Sequence, residues 1–413
     1  MSTQGSPHLP SHLSAHLDFG GFMDRRLHLG VTGSVAAFKA LDLLRLWTSS
    51  GVSVSATLTD GARRFVTDLS FAALGADPVY GPMFSGSTDR FDHLAPGREA
   101  QAMVVAPATA NTIAKLACGL ADDMLACQAL SFDGPLVVAP AMNPRLWDAP
   151  ATHENWQRLK DRGVTCLEPE SGLVACGDQG RGRLPSVELI HLHGLRALSP
   201  RDMSGMKVLV GLGPTREHFD CVRFWSNPSS GSMGAALAVA AWLRGADVTA
   251  VCGPVDLWLP PEISRIDVVT AKQMFEACLD VWSGSDLAVM AAAVADFSPA
   301  PHERGKFKKS SGPLRVDFEP NADILAAMGA AKRQGQRLAG FAAESGDPAP
   351  EMARKIEAKH LDLIVGNDVT AEGSGFGVPT NAVAVLDGQG RFESWPTQAK
   401  TEVAWRVLDW MLG

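Results

Sequence analysis

Three polar residues in the first half of the chain carry side chains that could do chemistry. Cys176 lies in a glycine-rich segment, residues 175–183, where a thiol is less expected as core packing than in an apolar helix. Asn143 follows an apolar stretch directly and precedes a proline, and His93 stands in a polar stretch, residues 89–93. A thiol and an imidazole can act as acids or bases. Taken singly, Asn143 could equally be a turn amide and His93 a solvated side chain.

Two other segments of the first half offer places for a phosphate. An apolar stretch runs into a Gly/Ser turn at residues 33–37, and residues 106–112 place small residues before hydroxyl and amide groups. Backbone N–H groups and hydroxyls at a helix N-terminus favour an anion. The alternative is an ordinary capped turn. The GxGxxG dinucleotide fingerprint is absent from both first turns.

The second half repeats this pattern and adds charge. A strand again runs into a glycine turn at residues 207–215, and small and hydroxyl residues precede a helix at residues 226–234. Asp296 ends a later apolar stretch, and a basic stretch, residues 304–309, follows it. In an acidic chain these lysines and arginines could bind a triphosphate, although a solvated loop is the usual explanation.

Apolar strands and helical stretches alternate along the chain, which predicts βαβ units and mainly parallel sheets. The predicted strands are 27–31, 53–58, 102–106, 135–139, 207–211, 247–252, 267–270, 287–291, 337–341 and 361–365, with a closing hairpin of 382–386 and 392–395. The predicted helices are 35–47, 61–74, 111–120, 233–244 and 351–359. The domain prediction is a flexible tail (1–23), a first domain (24–191), a linker (192–205) and a second domain (206–413).

Composition narrows the class of protein. The 413 residues carry 37 basic and 45 acidic side chains, a net charge of −8, with 46% hydrophobic and 20% charged residues. This is globular composition, and the acidic balance disfavours nucleic acid as a partner. No apolar run reaches the roughly 18 residues of a membrane helix, and the N-terminus lacks the features of a signal peptide. Seven scattered cysteines predict neither a disulfide framework nor a zinc site, so we expect a cytoplasmic protein.

Four dispersed motifs together with His93 resemble the flavin-containing cysteine decarboxylases, specifically the phosphopantothenoylcysteine decarboxylases. The motifs are residues 33–37, 106–111, 140–143 and 175–178, and the resemblance extends to about Arg183. It implies a flavodoxin-like parallel sheet domain that binds FMN. The FMN-binding residues that it implies are Gly33, Ser34, Thr59, Ala108, Thr109, Asn111 and Met142.

The resemblance also implies a reaction without net redox change. The terminal cysteine thiol of the substrate is oxidised to a thioaldehyde, carbon dioxide leaves, and the resulting enethiol is reduced. By motif match, His93 would assist oxidation and decarboxylation, Asn143 would bind the substrate carboxylate, and Cys176 would give the proton that accompanies reduction.

From about Lys207 onward the chain resembles the phosphopantothenate–cysteine ligases, so a Rossmann-like α/β ligase domain is expected. The matching motifs are residues 213–217, 222–227, 229–231, 292–296, 306–309, 340–344 and 367–369. Decarboxylase and ligase in this order are similar to the bacterial bifunctional enzymes of coenzyme A biosynthesis. Small-molecule substrates follow from that resemblance: 4′-phosphopantothenate, cysteine and CTP.

The ligase resemblance implies attack of the 4′-phosphopantothenate carboxylate on the α-phosphate of CTP, followed by displacement of CMP by the amino group of cysteine. Asn227 would stabilise the acyl-cytidylate with Arg223 beside it, and Lys306 would be catalytic. Mg²⁺ is expected to screen the triphosphate, with no protein ligands assigned. The implied CTP site consists of Asp296, Lys306, Asn321, Ala322, Asp323, Ile324, Phe341, Lys355 and Lys359. Lys355 and Lys359 are four apart on a predicted helix and therefore share one face.

Three positions depart from the ligase pattern. Ser232 stands where a lysine is common, Cys221 where a proline is common, and Ala322 where a proline is common. The change at Ser232 removes one positive charge near the expected ligase site.

Two other functions are weighed against the bifunctional enzyme. A flavin-binding scaffold without chemistry is disfavoured because His93, Asn143 and Cys176 occur together, and a nicotinamide oxidoreductase is disfavoured by the missing fingerprint. The resemblance further implies a homo-oligomer with trimeric decarboxylase and dimeric ligase contacts, and a flavin at a subunit interface.

Overall fold

The computed structural model describes residues 13–413 apart from 84–90, 175, 301–314, 345, 347, 369, 371–372, 374 and 376. These residues form two compact units. The first contains residues 20–200, and the second contains residues 201–413 together with the N-terminal segment up to Phe19.

The first unit is built on a six-stranded sheet in which each strand pairs in parallel with its neighbours. Its strands are β1 (Arg26–Val31), β2 (Ser53–Leu58), β3 (Val79–Tyr80), β4 (Ala102–Ala108), β5 (Leu136–Pro140) and β6 (Thr165–Cys166). The spatial order is 3-2-1-4-5-6. The predicted α/β class and parallel sheet are confirmed; this order is that of Rossmann-type sheets, whereas flavodoxin itself has 2-1-3-4-5.

Helices surround this sheet, and a short hairpin stands beside it. The helices are α1 (Lys39–Ser49), α2 (Asp68–Ala73), α3 (Ala95–Glu99), α4 (Ala110–Cys118), α5 (Met124–Leu130), α6 (Pro144–Trp147), α7 (Pro150–Asp161) and α8 (Val187–Leu198). The hairpin consists of β7 (Glu170–Leu173) and β8 (Gln179–Arg183). All seven residues of β4 are buried. A strand of a parallel sheet covered on both faces needs such a continuous apolar run, which is why the sequence predicts it well.

The predicted linker, residues 192–205, is wrong for its first half. Helix α8 continues to Leu198, and its Leu192 and Leu195 are buried in the first unit. Gly194 lies so close to Trp47 that a Cβ would be 2.6 Å from the indole Nε1, which itself donates a hydrogen bond to the carbonyl of His191. Gly194, within the predicted linker, is therefore a packing contact inside a helix.

The predicted tail, residues 1–23, is also wrong where the structure describes it from residue 13. His16, Leu17 and Phe19 are buried in the second unit. His16 donates to the carbonyl of Trp258 at 2.8 Å, and the Thr401 hydroxyl donates to the carbonyl of Asp18 at 2.7 Å. Burial of two large apolar side chains holds this segment in place. Residues 1–12 lie outside the described part of the chain.

The second unit contains an eight-stranded sheet with two small antiparallel pairs beside it. The sheet strands are β9 (Lys207–Leu212), β12 (Asp247–Cys252), β13 (Ser264–Asp267), β14 (Leu287–Met290), β17 (Arg337–Glu344), β18 (Leu363–Asp368), β19 (Thr380–Asp387) and β20 (Phe392–Ala399). The small pairs are β10 (Arg216–His218) with β11 (Phe224–Ser226), and β15 (Phe297–Pro299) with β16 (Phe318–Pro320). The sheet order is β13-β12-β9-β14-β17-β18-β19-β20. Counted along its own strands, the first six follow the same 3-2-1-4-5-6 order, and the predicted β19–β20 hairpin closes the edge.

The helices of this unit are α9 (Ser232–Leu243), α10 (Ala271–Trp282), α11 (Ile324–Ala330), α12 (Ala349–Ala358) and α13 (Lys400–Leu412). Ten consecutive residues of α9, from Gly234 to Leu243, are buried, so it is a central helix. The predicted strand 267–270 is displaced: β13 ends at Asp267, and Thr270 instead forms a capping box with Gln273 at the start of α10. The polar capping pattern outweighs the apolar pair Val268–Val269. Among the described helices, none is long and apolar enough to cross a membrane.

Gly253 allows the loops after two neighbouring strands to approach closely. A Cβ at this position would lie 1.8 Å from the carbonyl oxygen of Pro214, an atom of the backbone that cannot rotate away. We therefore predict that Gly253→Ala destabilises the protein by about 1–3 kcal/mol. In calorimetry of the full chain this corresponds to a fall in Tm of about 2–4 °C per kcal/mol.

Gly284→Ala is the matched control, because the nearest atom to its added Cβ would be 3.9 Å away. Equal melting temperatures for the two variants would show that the close approach at Gly253 is not a constraint.

Candidate active sites

In both units the fourth strand lies beside the first, where the strand order reverses. The loops that leave the carboxyl ends of these two strands diverge, and ligands of doubly wound sheets bind in the crevice between them.

In the first unit a buried threonine joins the two loops. The Thr32 hydroxyl donates to the carbonyl of Pro107 at 2.7 Å and accepts from the N–H of Thr109 at 3.0 Å. Directly after it, Gly33 packs on Gly61, and a Cβ on Gly33 would lie 2.9 Å from the Gly61 backbone. The Thr32 side chain thus joins the ends of β1 and β4, and the loops after β1 and β2 meet at a glycine pair that leaves no room for a side chain.

The residues predicted to bind FMN lie around this crevice. The Ser34 hydroxyl caps a 3-10 helix over Val35–Phe38, and the Thr109 hydroxyl caps α4. Thr59 follows β2 and bonds through its hydroxyl to the carbonyl of Val31. Asn111 is exposed in the first turn of α4, Ala108 is buried at the end of β4, and Met142 follows β5.

Asn143 and Cys176, far apart in sequence, are in contact. The Asn143 Nδ2 donates to the Cys176 Sγ at 3.0 Å and to the Asp178 Oδ2 at 2.8 Å, while its Oδ1 caps α6 through the N–H of Arg145. The β7–β8 hairpin presents Cys176 in its exposed turn. The hydrogen bond from Asn143 and the nearby Arg145 guanidinium lower the pKa of the Asp178 carboxyl, so Asp178 is an anion that orients Asn143.

Asn143 and Cys176 also line a cavity of about 360 Å³. Ser34, Met142, Asn143 and Cys176 all contribute to its wall. Met142 is held by a backbone hydrogen bond from its N–H to the carbonyl of Gly182 at 2.9 Å. The cavity therefore joins the phosphate-type turn after β1 to the thiol and amide predicted to be catalytic.

His93 does not line this cavity. It is half-buried, its carbonyl accepts from the Ser131 hydroxyl at 3.3 Å, and its ring lies 6.4 Å from that of Phe91. Within one chain, the structure brings together two of the three predicted decarboxylase residues. Asp178 was not among the predicted site residues, although it stands two positions after Cys176 in the same motif.

In the second unit Thr215 joins the loops after the first and fourth strands, as Thr32 does in the first unit. Its buried hydroxyl accepts from the N–H of Ala295 at 3.0 Å, and the N–H of Ala293 donates to the carbonyl of Gly213 at 2.9 Å. Asn227 lies across this junction, since its Nδ2 donates to the carbonyls of Ala293 (3.3 Å) and Val294 (3.1 Å).

Arg223 is positioned by an acid that the motif analysis left unassigned. The Asp220 carboxylate accepts from the Arg223 guanidinium at 2.9 Å and from the backbone N–H groups of Val222 and Arg223, both at 2.7 Å. The Arg223 side chain remains partly exposed. Cys221, at the position where proline is common, is exposed in the same turn.

Asp296 and Asn321, two residues of the predicted CTP site, are neighbours. The Asn321 N–H donates to the carbonyl of Asp296 at 2.8 Å, and its Nδ2 donates to the carbonyl of Ala295 at 2.8 Å. The Ser298 hydroxyl lies 2.6 Å from Asn321 Oδ1 and 2.9 Å from the buried Glu217 carboxylate. Glu217 was missed by the sequence analysis, because only its partners in space show that it braces this loop.

The remaining residues of the predicted CTP site lie on β17, α11 and α12, while Lys306 lies outside the described residues. Asp323 caps α11 and pairs with Lys359 at 2.7 Å, and Lys355 pairs with Glu344 at 2.5 Å. Burial alone would raise the pKa of the Asp323 carboxyl, but the hydrogen bond from Lys359 holds it below its ordinary value. Ala322 is exposed, Ile324 is buried, and Phe341 lines a separate cavity of about 100 Å³.

Two family models divide the chain at nearly the same point as the structure. Residues 23–193 match the family described as Flavoprotein, and residues 203–413 match the DNA/pantothenate metabolism flavoprotein C-terminal domain. The second match covers the second unit without its N-terminal segment.

Curated relatives match across both units. The coenzyme A biosynthesis bifunctional protein CoaBC of Bacillus subtilis is 40% identical over 391 residues, covering 93% of this chain and 96% of the relative. That of Escherichia coli is 37% identical, covering 87% and 90%. A cysteine/cysteine sulfinic acid decarboxylase from an unknown prokaryotic organism is 38% identical, covering 83% and 98%.

The two domain matches, their order and the identity across nearly the whole chain agree with the two crevices that the structure forms. The chain belongs to the family of coenzyme A biosynthesis bifunctional proteins CoaBC.

Proposed function

We propose that this chain is a cytoplasmic bifunctional enzyme of coenzyme A biosynthesis. Its second unit would ligate cysteine to 4′-phosphopantothenate with CTP, and its first unit would decarboxylate the 4′-phosphopantothenoylcysteine to 4′-phosphopantetheine. The observation that carries the proposal is the contact of Asn143 with Cys176 in a cavity beside a phosphate-type turn.

The residues of the first unit fit FMN. Gly33 and Gly61 bring the loops after β1 and β2 together at the crevice, and Ser34, Thr59 and Thr109 place hydroxyls around it. Ser34 and Met142 also line the cavity that reaches Cys176. When bound, the flavin would supply the oxidation of the substrate thiol and the hydride that later reduces the enethiol.

The polar side chains would bind the substrate and transfer one proton. Asn143 would keep one Nδ2 hydrogen on the Asp178 carboxylate and turn the other, which it gives to Cys176 here, to the carboxylate that is lost. Cys176 would donate the Sγ proton to the enethiol carbon, since its thiol is exposed and lies against Asn143. Orientation of the leaving carboxylate and delivery of the proton thus depend on one hairpin.

In the second unit Asn227 and Arg223 would bind the activated acyl group. Asn227 is held against the Ala293–Val294 backbone, and the Arg223 guanidinium is aimed by Asp220. A cation and an amide fixed in this way can stabilise the charge that develops at a phosphoryl group. Asp296, Asn321 and Phe341 would contact the nucleotide, and Lys355 and Lys359 would face its phosphates once released from their acids.

Mg²⁺ would be held mainly by the nucleotide. Within the described residues, no group of three or more His, Cys, Asp or Glu side chains could hold a metal ion. Magnesium in nucleotide sites is commonly bound by substrate phosphates with one or two carboxylates.

Assembly of decarboxylase units as trimers would complete the first site. Val35, Phe38 and Leu173 line the cavity yet are exposed, and His93 lies away from it. Exposed apolar groups around a polar site indicate a surface that a partner covers. A neighbouring copy could supply both that cover and His93.

Ligase units would pair through the small antiparallel strands. Exposed apolar side chains stand on both pairs: Val222, Phe224 and Trp225 at the β10–β11 pair, and Phe297 and Phe318 on the β15–β16 pair. The Trp225 and Phe318 rings lie 5.6 Å apart. A cluster of exposed aromatic residues on these two neighbouring strand pairs supports dimeric contacts there.

A second candidate concerns the substrate of the first unit. A relative that matches both units is named as a decarboxylase of cysteine or cysteine sulfinic acid. Free cysteine could therefore be the substrate, with the second unit serving another role.

We predict that Cys176→Ser stops turnover after carbon dioxide is lost. A serine hydroxyl is a far weaker acid than a thiol, so enethiol reduction should slow by about 10²–10⁴-fold. Mass spectrometry of the FMN-loaded variant with 4′-phosphopantothenoylcysteine should then show the enethiol instead of 4′-phosphopantetheine. Cys118→Ser, at another exposed cysteine, is the control. Normal product from Cys176→Ser would contradict the assigned role.

We predict that Asn227→Asp lowers ligation at least about tenfold. The new carboxylate would face the carbonyl oxygens of Ala293 and Val294, and those acceptors would lose their donor. The measurement is CTP-dependent pyrophosphate release with 4′-phosphopantothenate. Decarboxylation of supplied 4′-phosphopantothenoylcysteine should be unaffected, which separates a local effect from misfolding. Unchanged pyrophosphate release would exclude Asn227 from the reaction.

A further inference from the structure

A small polar cavity in the second unit contains a cation that the ligase proposal does not use. Its volume is about 100 Å³, room for about three water molecules or one tetrahedral oxyanion. Its walls include Ser229, Ser230 and Ser232 at the start of α9, together with Asn367 and Lys400.

Lys400 is the first residue of α13 and is only 4% exposed. Its ammonium lies 3.2 Å from the Ser232 hydroxyl and 3.2 Å from the carbonyl of Gly375. Both partners are uncharged, and no carboxylate of the described residues pairs with it. Burying an ammonium with neutral partners alone costs free energy, and burial lowers the pKa of Lys400 accordingly.

The position of this ammonium adds to that cost. It stands at the N-terminus of α9, a helix of 12 residues, where the helix dipole is positive and anions are favoured over cations. The cap residue, Gly231, has no side chain to satisfy the free N–H groups of the first turn. A cation, a positive helix end and open N–H groups converge on one cavity, and a bound anion would satisfy all three.

A second polar group points to a ligand in the same place. Asn367 is 8% exposed and lines the same cavity. Its carboxamide carries two N–H donors and one acceptor, so it could bind an oxygen of a ligand there.

The Lys400 ammonium contacts Ser232, a position that departs from the ligase pattern. This is the position where the ligase pattern commonly has a lysine, so the chain lacks a charge there. The ammonium of Lys400, 168 positions along the chain, touches the hydroxyl that replaces it.

We propose that Lys400 binds a phosphate group of a ligase substrate in this cavity, with Ser229, Ser230, Asn367 and the N-terminus of α9. Its ammonium would supply, beside Ser232, the positive charge that a lysine at position 232 would carry. The inference rests on the proposed ligase function for the identity of the substrate. The phosphate could belong to the nucleotide or to 4′-phosphopantothenate, which share the same chemistry.

The test removes the positive charge at position 400 and then restores one at position 232. Lys400→Met keeps most of the length of the side chain and its apolar character. The double variant Lys400→Met with Ser232→Lys returns a cation to the cavity. Lys272→Met, an exposed lysine in the first turn of α10, is the control. Inorganic pyrophosphate binding to the full FMN-loaded chain is measured by titration calorimetry.

We expect Lys400→Met to weaken pyrophosphate binding about tenfold or more, because a hydrogen bond to a charged group is lost. The double variant should recover most of that affinity, and Lys272→Met should bind as the original chain does. Thermal melting without ligand should show Lys400→Met to be at least as stable as the original, since the uncompensated cation is gone. Its stabilisation by pyrophosphate should be smaller.

Steady-state ligation then identifies the phosphate. A rise in KM for CTP alone assigns the group to the nucleotide, and a rise for 4′-phosphopantothenate alone assigns it to that substrate, while KM for cysteine stays unchanged. Equal pyrophosphate affinity for Lys400→Met and the original chain overturns the inference. If the original chain binds pyrophosphate through Lys400 but forms no CMP, the phosphate site stands and the ligase proposal fails.

Discussion

A single contact recurs at the centre of both units: a buried threonine in the loop after the first strand bonds to the loop after the fourth. Thr32 joins Pro107 and Thr109, and Thr215 joins Ala295. The 3-2-1-4-5-6 order makes these strands neighbours, but their loops diverge. The hydroxyl contacts act together with backbone hydrogen bonds from Thr32 to Pro107 and from Ala293 to Gly213, so the two loops are joined at their base. The glycine approaches at Gly33 and Gly253 bring the flanking loops to the same edge.

The two crevices would use this common frame for different chemistry. In the first, the hairpin turn places the Cys176 thiol and the Asp178 carboxylate against the Asn143 amide at the start of α6, which suits proton delivery beside a bound flavin. In the second unit, Asn227 lies across the junction, Asp220 holds Arg223, and a buried ammonium lies at the start of α9, which suits phosphate binding. Family membership and site geometry thus agree on a decarboxylase followed by a ligase.

Much of this was predictable because the signals are local. Buried parallel strands need continuous apolar runs, so β2 and β12 were predicted at their observed bounds. The motifs for Asn143, Cys176 and Asn227 also lie on short segments. Prediction failed where tertiary packing decides: Gly194 breaks the helical pattern of α8 but packs on Trp47, and Leu17 and Phe19 are too few to signal a docked segment. Partners such as Glu217, or Lys400 beside Ser232, are visible only in three dimensions.

The central claim is that one chain makes the amide and then removes the carboxyl group. The direct measurement is incubation of the FMN-loaded protein with 4′-phosphopantothenate, cysteine and CTP, following CMP, carbon dioxide and 4′-phosphopantetheine together. We predict equal amounts of all three, with no carbon dioxide when CTP or 4′-phosphopantothenate is omitted. Carbon dioxide released from cysteine alone, without CMP, would contradict it.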